Sequence, residues 1–359
     1  MKAKSIHDAV YGCLVAGAVG DALGAPAENM YHQEIREKYG KIEDFLSYNN
    51  ISYSSGKPGT VTDDTTLRYY MCLAVIEKGG RITPDDAARI WINHINPERF
   101  WSPDKIAYLK LKSGVNPWDA GKGNIPSACS TMAMTPIGII NAGNPSQAYQ
   151  DGYNIAGINA EGFNQEASAT LAAGIAATFS PGADYLSVIK EMIRFSSPLV
   201  LRAITLTMKL AEKTKDIETF KTEFYTYLID WWSRPKLNWL PEHFATGTAI
   251  ETVPLVMAVF YLCKGDVNQC LIEGANFGRD ADAISSLSGT LAGGLHGASA
   301  IRQEWIEKVE EANRDFFQEA GGNKTRDFRA LADEMVNTLR NEKITTLQRA
   351  AMLDQILEN

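Results

Sequence analysis

Along most of the chain, apolar residues recur at spacings of three and four, the period of a helix with one buried face. Leu67, Tyr70, Met71, Ala74 and Val75 form one such stripe, and Ile189 with Ile193 belongs to another. Alternating runs of the strand type are scarce. Three stretches, 11–23, 168–178 and 284–298, are packed with Gly, Ala and Ser, which lets helix backbones approach closely in a shared core. Pro, Gly and Asn clusters at 54–59, 116–126, 141–145 and 180–183 mark loops. The expectation is an all-α fold in a single domain, with a charged helical hairpin at its edge from 321 to 359. The irregular, Trp- and Pro-rich stretch 231–244 fits either aromatic plugs packed on the body or a stacking wall for a base or sugar.

Composition narrows the function. The chain has 359 residues, 45% hydrophobic and 22% charged, as a folded globular protein has. Its net charge is −8 with the signs interspersed, so no basic footprint for nucleic acid or an anionic membrane exists and a small molecule is the expected partner. The cysteines Cys13, Cys72, Cys129, Cys263 and Cys270 are odd in number and mostly lie in apolar stretches. Reduced core thiols imply a cytoplasmic protein. Lys2 and Lys4 before an apolar run ending Ala25-Pro26-Ala27 mimic a secretory signal, but Asp21 and the glycines inside the run argue against one. No apolar stretch is expected to reach the roughly 20 residues that span a bilayer.

The candidate chemistry lies in two acidic clusters, Thr62-Asp63-Asp64-Thr65 and Asp280-Ala281-Asp282, each placed directly before a helical stretch. One Asp at such a place is a common helix cap. Clusters are harder to explain that way, because one cap per helix suffices and buried like charges repel unless cations neutralise them. Oxygen-only ligands favour magnesium. The residues alone leave both readings standing.

Four ordered segments resemble the ADP-ribosylglycohydrolase family. They are Gly12 to Glu28, which contains Gly20-Asp21-Ala22-Leu23-Gly24; the Thr62-Asp63-Asp64-Thr65 box; Met134-Thr135-Pro136-Ile137-Gly138; and Gly278-Arg279-Asp280-Ala281-Asp282-Ala283-Ile284 followed by Gly289-Thr290-Leu291-Ala292-Gly293-Gly294. The resemblance covers about 8–300 and implies a compact orthogonal all-α fold with two magnesium ions at the base of a cleft, manganese being the alternative. It assigns the metal ligands to Thr62, Asp63, Asp64, Asp280 and Asp282. Glu28 falls beside the substrate ribose as a gate or general base, and Asp280 is the competing base. Asp21 is grouped with Glu28 in the substrate region, although bracing its own turn is its commoner role.

The sequence departs from the family at two places. Ala283 stands where the family more often has a Thr or Ser ligand, which implies a weaker second metal site or a single-metal enzyme. Ser285 would point about 200° away on a helix and does not replace it. No His occurs in 157–164, where many members carry one, and His7, His32, His94, His243 and His296 receive no catalytic role. The implied function is a magnesium-dependent hydrolase of an ADP-ribosyl bond. The alternatives are a hydrolase of a small nucleoside or ribosyl metabolite, and a catalytically silent ligand-binding member.

Overall fold

The computed structural model describes residues 4–49, 55–228, 247–322 and 324–358. The Trp- and Pro-rich stretch 231–244 therefore lies outside the described residues. Within them there are seventeen α-helices and no β-strand, in accord with the all-α expectation. The first six are α1 Ile6–Gly24, α2 His32–Tyr39, α3 Asp63–Lys78, α4 Pro84–His94, α5 Ser102–Lys112 and α6 Met134–Ile140. Next come α7 Pro145–Ala156, α8 Phe163–Ala177, α9 Tyr185–Arg194, α10 Pro198–Thr214, α11 Ile217–Glu223 and α12 Ala249–Leu262. The chain closes with α13 Val267–Ala275, α14 Ala281–His296, α15 Gln303–Ala312, α16 Arg314–Gly321 and α17 Phe328–Leu357.

The small-residue stretches form α1, α8 and α14, and α1 lies directly against α14. Gly12 faces Gly293 and Gly24 faces Ala281; a Cβ on Gly20 would lie 2.5 Å from the Ser285 carbonyl. Side chains absent from this seam let the two backbones touch, so the residues at the ends of both helices come together at one end of the core. Every residue of α1 from Ala9 onward is buried.

Two expectations are corrected. The segment Ile6–Ala27, 22 residues with mean hydropathy 1.3, is long and apolar enough to cross a bilayer by length and composition, contrary to the expectation that no stretch would be. Here it is buried from Ala9 onward, because its Gly and Ala residues serve as a close-packing surface for α14. The C-terminal hairpin is instead one 30-residue helix, α17. Gly321 and Gly322 end α16, but 328–357 contains no Gly or Pro that would break a helix into two.

Candidate active site

Each acidic cluster sits at the first turn of a helix and carries more carboxylates than capping that turn requires. In α3 the N-cap is Thr62, whose hydroxyl accepts from the Asp64 amide at 3.2 Å. Asp21 adds to this cap: its carboxylate accepts from the amides of Thr62 at 3.1 Å and of Thr65 at 3.0 Å. Asp21 is fully buried, so it braces the α3 terminus against α1. With the backbone donors satisfied by Thr62 and Asp21, Asp63 and Asp64 are surplus to capping. Asp280 occupies the N-cap position of α14 but makes no side-chain cap bond.

A short backbone crossing brings Glu28 to the second cluster. The Asn29 amide donates to the Arg279 carbonyl and the Arg279 amide to the Met30 carbonyl, both at 2.7 Å, around an isolated antiparallel bridge between Tyr31 and Gly278. Gly278 is required here, since φ is +82° and any Cβ would strike the Met30 carbonyl oxygen. Arg279 takes φ +61° without being glycine and is held by a buried, two-pronged ion pair with Glu251 at 2.5 and 2.8 Å. The next residue of α12, Thr252, donates its hydroxyl to Asp280 Oδ2 at 2.7 Å. Two adjacent residues of α12 therefore fix Arg279 and Asp280, the two residues that lead into α14.

The electrostatics show that the two clusters and Glu28 form one group. Burial, then the charges of Asp63, Asp280 and Asp21, pushes the Glu28 carboxyl up to about 8. Burial and Asp104 push Asp63 up to about 7, and burial lifts Asp280 to about 6. Asp64 and Asp282 are raised well above the usual carboxylate range by burial first, then by Asp21, Asp63 and Asp280 for Asp64 and by Glu28, Asp64 and Asp280 for Asp282. Asp64 Oδ2 is buried with no hydrogen-bond partner among the described residues.

A hard cation suits this donor set. The side chains are oxygen-only, mutually repelling, and include an orphaned carboxylate oxygen. Among the described residues no three His, Cys, Asp or Glu side chains already converge as a closed cage.

The ADP-ribosylglycohydrolase family model matches residues 2–344. The chain belongs to the ADP-ribosylglycohydrolase family. Hydrolysis of a glycosidic bond is the class of activity that membership carries. Similar proteins include YegU of Escherichia coli, 24% identical over 88% of this chain and 94% of that protein, and an uncharacterized protein of Archaeoglobus fulgidus, 25% identical over 86% and 92%. The ADP-ribosyl-[dinitrogen reductase] glycohydrolase of Rhodospirillum rubrum is 23% identical over 86% of this chain and 93% of its own length. A solved ADP-ribosylglycohydrolase-related protein complex shares the fold, with a TM-score of 0.67 over 95% of this chain and all of its own at 18% identity.

Within this family member, both departures from the motifs have a structural sequel. Ser285, two residues past Ala283, donates to the Leu271 carbonyl at 2.8 Å and is fully buried at the α13 contact, away from the acidic turn. In the stretch lacking His, Asn159 donates to Asp104 Oδ1 at 2.7 Å and so holds a carboxylate that acts on Asp63, while Asn164 accepts from the Ala249 amide at 3.0 Å at the start of α12.

Several residues near the site escape sequence reading. Asp104, buried in the first turn of α5 and lifted to about 6 mainly by burial, faces Asp63 electrostatically. The amide of Trp101 donates to Asp63 Oδ2 at 3.2 Å, and the Trp101 side chain is exposed beside it. Asp104 reads in sequence as one more acidic first-turn residue, and neither Trp101 nor Thr252 carries a motif.

Proposed function

We propose that the chain is a magnesium-dependent hydrolase that cleaves the ribosyl glycosidic bond of an ADP-ribosylated substrate. The observation that carries this reading is that Asp63, Asp64, Asp280 and Asp282 gather at two helix N-termini beside Glu28, with the α3 terminus capped by Thr62 and Asp21, each of Asp63, Asp280 and Asp282 meeting a single donor, and one Asp64 oxygen meeting none among the described residues. Those four Asp residues would hold the metal, with Thr62 occupied as a cap. A bound divalent ion supplies an electrophilic clamp for vicinal ribose hydroxyls and water.

The protein groups then have separable tasks. The Trp101 amide and the Thr252 hydroxyl hold Asp63 and Asp280 in fixed orientations, so little reorganisation remains once substrate is bound. Glu28, ionised once a bound cation offsets the charge of its neighbours, would take the proton of the attacking water at a carboxylate oxygen. Water oxygen bonds to the anomeric carbon as the glycosidic bond breaks, and its electron pair leaves with the aglycone. The five free thiols support a reducing, cytoplasmic setting.

Calorimetry with ADP-ribose, with and without magnesium, on the native chain and on Asp63→Ala tests this reading. Magnesium-dependent binding lost in the variant supports it. Absence of binding by the folded, magnesium-supplied native chain sinks it and turns the search to free nucleosides, the substrate class favoured by the missing His.

A further inference from the structure

Arg68 on α3 is 1% exposed, yet its hydrogen-bond partners are all uncharged. Nε donates to Thr135 Oγ1 at 3.1 Å and Nη2 to Ser286 Oγ at 2.5 Å, with Met132 Sδ 4.0 Å away. Nη1 has no hydrogen-bond partner among the described residues. It rests against Gly17, where any Cβ would collide with it. A guanidinium taken out of water and bonded only to neutral groups is costly unless negative charge stands close by.

The helical register shows where that negative charge is. Gly17 lies one turn before Asp21 on α1, and Asp64 lies one turn before Arg68 on α3. The guanidinium is thus lodged behind the inner carboxylates, between the two helices that carry them and the helices α6 and α14 that supply Thr135 and Ser286. Its charge favours the ionised forms of Asp21 and Asp64. In the first turn of α14, Ala283 offers no side-chain oxygen to a cation.

We propose that Arg68 is a built-in cation that takes over the charge balance a second divalent ion would provide, so that this chain binds one divalent cation. The inference rests on the metal-dependent reading above and fixes its stoichiometry. Arg68 touches no reacting atom and is a positioning residue. A fixed charge at this place repels a second cation, while the loss of one oxygen at position 283 weakens the ligand set that would hold it.

The test counts Mn2+ bound to the metal-stripped full-length protein by equilibrium dialysis, for the native chain, Arg68→Met and Arg68→Lys. One ion in the native chain and in Arg68→Lys, with a second ion or at least tenfold tighter binding in Arg68→Met, is the expected result. Two ions in the native chain overturn the role of Arg68 and leave the metal-dependent reading intact. None overturns both. A folded Arg68→Met that binds one ion with native affinity also overturns it; should that variant fail to fold, Arg68→Gln, which removes the charge but keeps a donor for Thr135 or Ser286, is counted in its place with the same outcomes.

Discussion

Replacing Asp63 by Asn should make the metal-stripped protein more stable at pH 8 while abolishing its response to magnesium. The carboxyl of Asp63 is lifted from its ordinary 3.8 to about 7, by burial first and by Asp104 next. At about 1.4 kcal/mol per pH unit that gap corresponds to at most ~4 kcal/mol of native-state penalty. Asp63 is only partly buried, and solvent screening reduces the figure to about 1–2 kcal/mol. Because the folded value is the higher one, the penalty is absent below pH 4, grows as pH rises toward 7, and is fully present above it. Asn keeps an oxygen for the Trp101 amide, so the substitution removes charge and little else. Urea denaturation in the presence of a chelator, at pH 5 and pH 8, measures the difference. A variant no more stable than the native chain at pH 8, or an advantage equally large at pH 5, would refute the argument that repulsion and burial strain this cluster.

Three further outcomes follow from the geometry. Thr252→Val removes the hydroxyl that holds Asp280 and should weaken divalent-ion binding about 10- to 100-fold, read by calorimetry, with a smaller effect on melting temperature. Ser285→Ala should leave ion affinity unchanged and cost about 1 kcal/mol through the lost bond to the Leu271 carbonyl; a large fall in ion affinity would instead make Ser285 the substitute ligand. Gly20→Ala places a Cβ 2.5 Å from the Ser285 backbone and should destabilise by about 3 kcal/mol or more, with loss of the α1–α14 seam visible as a lowered denaturation midpoint.

The periodicity of apolar residues and the small-residue stretches were sufficient for the all-α class and for the three close-packed helices, because helix formation and backbone approach are local consequences of side-chain size. The acidic boxes were legible as well, since Thr62-Asp63-Asp64 and Asp280-Ala281-Asp282 stand out against ordinary capping. Which carboxylates cap and which remain available was decided by tertiary structure alone: Asp21 and Thr62 lie far apart in sequence and meet only because α1 packs beside the start of α3. The same holds for Asp104, Trp101 and Thr252, whose importance comes from facing Asp63 or Asp280 across the fold. Arg68 is the plainest case. In sequence it is a polar residue within a helical stripe, and its burial behind the carboxylates depends on the space left by Gly17, fifty-one positions earlier on another helix. Composition and period act along the chain, whereas desolvation and Coulomb interaction depend on distance in space, so the second pair becomes readable only once the helices have packed.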